Sequence, residues 1–408
     1  MTAPILVSTQ QGITAISADQ ANSWVPYCTN LAMLRTFAGG YVYQVYVQGS
    51  VAPGDGGQGA FYWNGTSTAT DNNSTVIVPN GVTTGAWIRL AFDGSLFVAS
   101  SSGSPVAPAV QAYQGQVAIG DTAAVTGTGT GGYAIGTSAL NSSSGIGNMV
   151  FGWSGVVSGA AAHSVVIGNS YASGAESFAA AGGDHTGAYG AQASNSIAIG
   201  YQTKVTVQGG AAIGYQSVAS GQNAVALGLS LASGTNSFAA AIGSIASGGA
   251  TATGAIAVGN YATASANYGV AVGGYSNAYN VAQYAYSGYH RALIGDTQGS
   301  TYILGGTTTV SGSPVTLFLD GSSAQISIPA SQAMSFRVSA VAHDINTVAN
   351  NATIYSTVNG LVYNNAGTLT LTSPTLAVVN QNSWTITSAG VVFATSGTNL
   401  TVSVVAPS

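Results

Sequence analysis

Residues 220–249 read SGQNAVALGLSLASGTNSFAAAIGSIASGG and contain no charged side chain. The silence runs on: no Asp, Glu, Lys or Arg occurs between Lys204 and Arg291. Within the stretch, short apolar groups alternate with Ser-Gly and Gly-containing pairs, which are turn chemistry. The apolar group is a marker that recurs. It ends at Gly120, Gly136, Gly152, Gly168, Gly200, Gly214, Gly228, Gly243, Gly259 and Gly273, as in VAIG, YAIG, MVFG and IAIG. A weaker copy, FAAAGG, ends at Gly182 or Gly183, and AYSG closes the series at Gly288. A period of about 15 residues is too short for helical repeats and suits one coil of two short strands and two turns. Between markers lies a second short segment, YASG, VASG, LASG or IASG. A parallel β-roll follows, because a single coil cannot bury its own apolar face and stacked neighbours can. On this reading the Ile, Val and Leu of each marker fill the coil interior, while Ala and Gly allow close backbone approach or tight corners.

Working outward, residues 35–92 have a different texture. YVYQVYVQ alternates like a strand, GDGG and NG are turns, and AFYW, TVIV and AWIRL are further short strands. Residues 1–34 are weakly patterned and read as an attachment arm, 93–116 as a linker, and 291–330 as a connector. From residue 331, SFRVSAVAHD, TIYSTVNGLVYNNAGTLTLTS, NSWTITS, VVFATS and NLTVSVV alternate again around NG and NNAG turns. They predict an antiparallel β-sandwich-like domain over 331–408. The chain is expected to be all-β: a small N-terminal module, a central β-roll over 117–290 and a C-terminal β domain.

Composition narrows the function classes. Only 4% of the 408 residues are charged and 46% are hydrophobic, whereas disordered chains are apolar-poor and charge-rich. Arg35, Arg89, Lys204, Arg291 and Arg337 are scattered, so no basic patch exists to neutralise phosphates, and nucleic-acid binding is not expected. Cys28 is a single cysteine, which excludes an intrachain disulfide framework. No apolar run approaches a membrane helix, and MTAPILVSTQ lacks the basic and apolar regions of a secretory leader. Synthesis in a cytoplasm, without membrane insertion, is the expectation.

Three blocks carry resemblances. APGDGGQGAFYW, STATDNNSTVIVP and GAWIRL, in that order, resemble the small β module near the N-terminus of many phage tailspikes and tail fibres. NSIAIG (195–200) and NAVALG (223–228) are similar to the head repeats of trimeric autotransporter adhesins. LFLDGSSAQISIP, SFRVSAVAHD, GLVYNNAGT and NSWTITS resemble a C-terminal domain frequent in phage tail fibres, whose usual copies carry a basic strand where this chain has VSAVAHD. The resemblances imply a homotrimeric phage fibre or spike. Its N-terminal end would meet a tail, baseplate or capsid protein, and its C-terminal tip a host-surface glycan or protein. A head fibre or capsid decoration and a polysaccharide depolymerase are the alternatives.

Candidate residues follow from chemistry. Tyrosines crowd the end of the roll, and aromatic faces beside amides suit sugar rings. The receptor-binding candidates are Tyr284, Tyr286, Tyr289, Tyr355, Tyr363, Asn364, Asn365 and Trp384. The virion-attachment candidates are Trp24, Tyr27 and Leu31. A glycosidase needs a carboxylate pair about 5–10 Å apart. Glu176 and Asp184, with His163 and His185 in repeat register, are the nearest approach, and solvated turn residues are the expected reading for them. Asp55 in GDGG and Asp320 in DGSS are read as turn formers. The four histidines, His163, His185, His290 and His343, lack metal-ligand spacing. Neither an enzyme, a cofactor nor a metal is expected.

Overall fold

The structure is a computed structural model. It describes residues 5–9, 12–16, 27–37, 44–55, 57–90, 95–96, 108–110, 115–245, 248–307, 313–343, 353–382 and 391–405. Two compact units, Met1–Asp93 and Gly94–Ser408, make up the chain.

The first unit holds a hairpin, Ile5–Thr9 with Gly12–Ile16, and a five-stranded sheet. The sheet runs in the order Tyr27–Cys28, Gln44–Val47, Gly59–Asn64, Ala86–Arg89, Val76–Ile77. A one-turn helix, Leu31–Leu34, lies between the first two strands, and its N-cap Asn30 accepts the Met33 N–H at 2.9 Å. Alternation puts Cys28, Val45, Val47, Phe61 and Trp87 on the face that buries Leu31 and Leu34. Arg35 clamps the loop before Val76–Ile77: its Nε and one terminal nitrogen donate to the two Asp71 oxygens at 3.0 and 2.8 Å. Burial works to raise the Asp71 carboxyl. The Arg35 hydrogen bonds, the N–H groups of Asn73 and Val78 and the Arg35 charge outweigh it, and the group is lowered.

The second unit is a parallel β-solenoid followed by antiparallel sheets. One 14-stranded sheet stacks the marker strands, from Ser95–Leu96 through Val117–Ile119 and Ile197–Ile199 to Tyr284–Tyr286. A 12-stranded sheet stacks the two-residue strands of the intervening segments, such as Val218–Ala219 and Leu231–Ala232. Both are parallel and in unbroken register, so that Ala198 lies beside Ala212, and Ala212 beside Ala226. Gly299–Thr301 pairs antiparallel with Tyr284–Tyr286 and ends the first sheet.

The interior differs from the sequence expectation. The middle residue of each marker strand points inward: Ala118, Ala134, Val150, Val166, Ala198, Ala212, Ala226 and Ala257 are fully buried or nearly so. They meet Val125, Val157, Ala172, Val205, Ala219 and Ala232 from the second sheet in one continuous core. The flanking Ile, Val and Phe residues point outward and remain partly exposed, as in the exposed–buried–intermediate pattern of Ile197, Ala198 and Ile199. The described core between the two sheets is mostly alanine and valine, with Ile242 its one larger side chain.

The marker glycines have a steric reason. At Gly136, φ is +125°, and a Cβ there would lie 2.3 Å from the carbonyl oxygen of Gly152 in the next coil. Gly200 repeats this against Gly214. Three positions later a hydroxyl closes the corner: Thr203 donates to the Gly200 carbonyl and Ser276 to that of Gly273, each at 3.1 Å. Two coils break the pattern. After Phe178–Ala180 and Phe238–Ala240 the ladder position is held by Ala181 and Ala241, at φ +54° and +56°. Gly243 is therefore not a ladder glycine. The sequence register slipped by two residues there, because an extra loop follows the strand. At the last coil Ser287, not Gly288, follows the strand Tyr284–Tyr286.

The C-terminal part packs two antiparallel sheets. Pro314–Leu317, Ile326–Ser327 and Val391–Ser396 pair with Asn399–Val405. Ala333–His343, Thr353–Asn365 and Thr368–Asn382 form a long meander. Leu319, Ile326, Ile328, Val362, Leu369 and Leu400 fill the space between the sheets. Strands thus come from residues read as connector. Asn280 of the last coil joins this domain to the solenoid, donating to the Ser327 carbonyl at 3.1 Å and accepting its N–H at 2.8 Å.

Candidate functional surfaces

The outward residues of the marker strands form two columns along the solenoid. One runs through Met149, Val165, Phe178, Ile197, Ala211 and Val225, the other through Phe151, Ile167, Ala180, Ile199, Ile213 and Leu227. Parallel register alone puts them in line, one side chain per rung at about 4.8 Å. Many are substantially exposed, among them Met149, Phe151, Ile167, Ile197 and Ile213. A contiguous apolar face of this length marks an interaction surface.

Tyr284 and Tyr286 are the last members of these two columns, 48% and 63% exposed. Tyr289 lies just beyond, also exposed. Tyr284 and Tyr286 continue the apolar face. Tyr261 and Tyr275 stack at 5.2 Å, and the His290 ring lies 3.8 Å from that of Tyr275. Tyr279 is buried against Tyr302, and that burial raises its hydroxyl well above the ordinary value.

The other receptor candidates lie on the meander. Tyr355 donates to Ser339 at 3.4 Å, and Tyr363 and Asn365 are exposed. Asn364 is only 2% exposed. Its amide donates to the Ile328 carbonyl at 2.7 Å and its oxygen accepts the Gly367 N–H at 2.8 Å. It is a structural residue of the hairpin turn rather than a free contact. Trp384 and Trp24 lie outside the described residues. In the first unit, Leu31 is buried in the core and presents no surface. Tyr27 pairs with Tyr46 and Tyr46 with Ala60 across the outer face of the sheet, and Tyr27, Tyr46 and Leu90 are exposed there. Sequence reasoning missed Tyr46, although its place in the alternating YVYQVYVQ was the available signal.

The carboxylates divide into turn anchors and corner residues. The Asp55 carboxylate accepts the N–H groups of Ser50, Val51, Ala52 and Gly57, and that of Asp296 accepts those of Arg291, Ala292 and Leu293. Asp320 accepts those of Ser322, Ser323 and Ala324. Backbone N–H donors hold all three carboxyls below the ordinary value, Asp296 at about 2. Glu176 sits at the corner before Phe178–Ala180, and Asp184 in the loop after that strand. The three-residue strand lies between them. His163 occupies the corner one coil earlier, with φ +53°. Among the described residues, no group of three or more His, Cys, Asp or Glu lies close enough to hold a metal.

Two family models match parts of this architecture. A model of the phage tail protein small four-stranded β-sheet domain matches residues 27–93. A model of the YadA head domain repeat matches residues 191–207, 208–230 and 250–276. No curated protein matches. Among solved structures, the chain is similar to the tailspike protein gp49 from Acinetobacter baumannii bacteriophage Fri1, a capsular polysaccharide depolymerase. Identity is 10%, coverage 93% of this chain and 95% of that one, and the TM-score 0.25. That structure is of an enzyme, so the expectation that this chain is not an enzyme is overturned and withdrawn. At this TM-score the match assigns no residue and no reaction here. The phage tail domain and the head-repeat solenoid bear out the reading as a phage virion spike with a β-solenoid shaft.

Proposed function

We propose that this chain is a homotrimeric host-binding spike whose three copies bury the apolar columns of the first solenoid sheet against one another. The carrying observation is the inversion of the coil. Mostly alanine and valine lie inside, while the Ile, Leu, Met and Phe of the marker strands lie outside and stay partly or substantially exposed in the single chain. A closed ring of identical chains covers that face completely, and the YadA-type repeat matched here comes from adhesin heads for which trimers are the expectation.

In this reading residues 1–34 are an attachment arm, 35–92 the tail-proximal module, 93–116 a linker, 117–290 the shaft, 291–330 a connector and 331–408 the host-facing tip. The outer sheet face bearing Tyr27 and Tyr46 meets the virion tail or baseplate protein. Tyr355, Tyr363 and Asn365 on the tip meet a host-surface glycan or protein, and three copies multiply a weak single-site affinity by avidity. The protein is made in the host cytoplasm and ends in the virion. Light scattering on the purified full chain tests the assembly. Three chain masses support the reading, and a monodisperse monomer at micromolar concentration sinks it.

A further inference from the structure

One corner of the solenoid carries a group of side chains that neither the core nor the apolar columns use. It lies just after the marker strands. Trp153 follows Gly152 and is 63% exposed. One rung on, Asn169 follows Gly168, and its side-chain oxygen lies 2.7 Å from His185 Nδ1. His185 belongs to the extra loop after Phe178–Ala180, which folds back over that rung. Next come Tyr201 and Tyr215, after Gly200 and Gly214, 48% and 55% exposed and stacked at 5.6 Å. The loop is built to lie here. A Cβ at Gly183 would meet the Tyr201 ring at 2.6 Å, and one at Gly187 the Tyr171 ring at 3.3 Å. The Gly182 N–H is fixed by Ser170 Oγ at 2.7 Å.

The strands of Trp153, Asn169, the loop, Tyr201 and Tyr215 are consecutive rungs. Trp153 and Tyr201 are three rungs apart, about 14 Å along the solenoid. A polar centre of Asn169 and His185 is thus flanked by aromatic rings on both sides. The equivalent loop after Phe238–Ala240 puts Leu229 and Ile245 where Asn169 and His185 stand. The polar centre is therefore a property of the first loop and not of the coil. No Lys or Arg other than Lys204 occurs between Arg89 and Arg291, and Lys204 is on the second sheet. The corner thus holds no Lys or Arg, and the Asp184 carboxylate stands beside His185, which disfavours an anionic ligand.

We propose that this corner is a second glycan site, on the shaft, which takes a short stretch of a neutral polysaccharide laid along the solenoid axis. Aromatic rings present apolar surface to the C–H faces of sugars, while the amide and imidazole bind hydroxyls between them. The proposal rests on the host-binding reading above and adds a place and a ligand class to it.

The test uses the full chain and two exposed substitutions, Trp153→Ala and His185→Ala. Fluorescent protein is applied to a printed array of bacterial surface polysaccharides and, separately, to a panel of bacterial cells. Binding of the parent to neutral polysaccharides, weakened about tenfold in each variant, with unchanged circular dichroism and assembly mass, is the expected result. Equal array binding by parent and variants overturns the site. So does a variant that loses its assembly mass, because the corner is then an interface between copies. Cell binding without any array signal also overturns the glycan site, while the host-binding reading stands. Absence of cell binding strikes that reading itself.

Discussion

Gly136→Ala tests the ladder that makes this chain a solenoid. The methyl group would lie 2.3 Å from the Gly152 carbonyl oxygen, which is backbone and cannot rotate away. That carbonyl belongs to the next coil, whose Gly152 N–H is held by the Ile135 carbonyl at 2.8 Å. The φ of +125° must also be kept or abandoned by a residue with a side chain. A sparsely populated backbone region costs about 1–3 kcal/mol, and overpacking costs a similar amount. The sum is about 2–6 kcal/mol. Gly288→Ala is the control, since nothing lies within 4 Å of the place its methyl group would take and its φ is not positive. Hydrogen exchange by mass spectrometry reads the local loss directly. Amides over residues 133–152 should exchange at least about 30-fold faster in Gly136→Ala, the lower bound of the sum converted to a ratio. Peptides from the first unit should be unchanged. If Gly136→Ala lies within about 0.5 kcal/mol of Gly288→Ala, the ladder does not constrain the coil and the account of the marker glycines is wrong.

Ile199→Asp combined with Ile213→Asp should leave the circular dichroism of the chain intact and reduce its mass in light scattering to that of a monomer, because both side chains leave the core untouched. Ala198→Leu should do the reverse and destabilise the coil by about 1–3 kcal/mol in urea unfolding, since its neighbours in the core are fixed. Burial pushes the Cys28 thiol up to about 11, so a colourless-to-yellow disulfide reagent at pH 8 should react with the native protein far more slowly than with the urea-unfolded chain. The Asp296 carboxyl is lowered to about 2 by its N–H donors, and its stabilising effect is therefore full above the unfolded carboxyl value near 4. That effect should be lost between about pH 4 and pH 2, and thermal melts of Asp296→Asn should show a shallower acid limb than the parent's.

Much of the fold was legible because it is periodic. A marker glycine in most coils, with turn pairs between, leaves few alternatives to a parallel roll, and GDGG, NG and NNAG mark the antiparallel parts in the same way. The site was less legible. Asn364 looked like a free amide beside Tyr363, but it closes the turn before Gly367. Leu31 looked like an arm residue, but it is core in a one-turn helix too short to leave a periodic signal. The corner of Trp153, His185 and Tyr201 was invisible as a unit, because its members are far apart in sequence and only stacking brings them together.

By itself the sequence determined that short strands stack in parallel at a period of about 15 residues, since turn chemistry and period are local properties. It also determined the order of parts, from tail-type module to roll to antiparallel domain. Only the tertiary structure decided which side of each strand is the inside. In a strand such as Ile197–Ile199 alternation puts two large residues on one face and one alanine on the other, and local pattern alone favours the larger face as core. Facing positions of the two sheets are mostly alanine and valine, with Ile242 the one larger side chain in the described core. The small middle residue is therefore buried, and the larger apolar side chains are left partly exposed on the outer face.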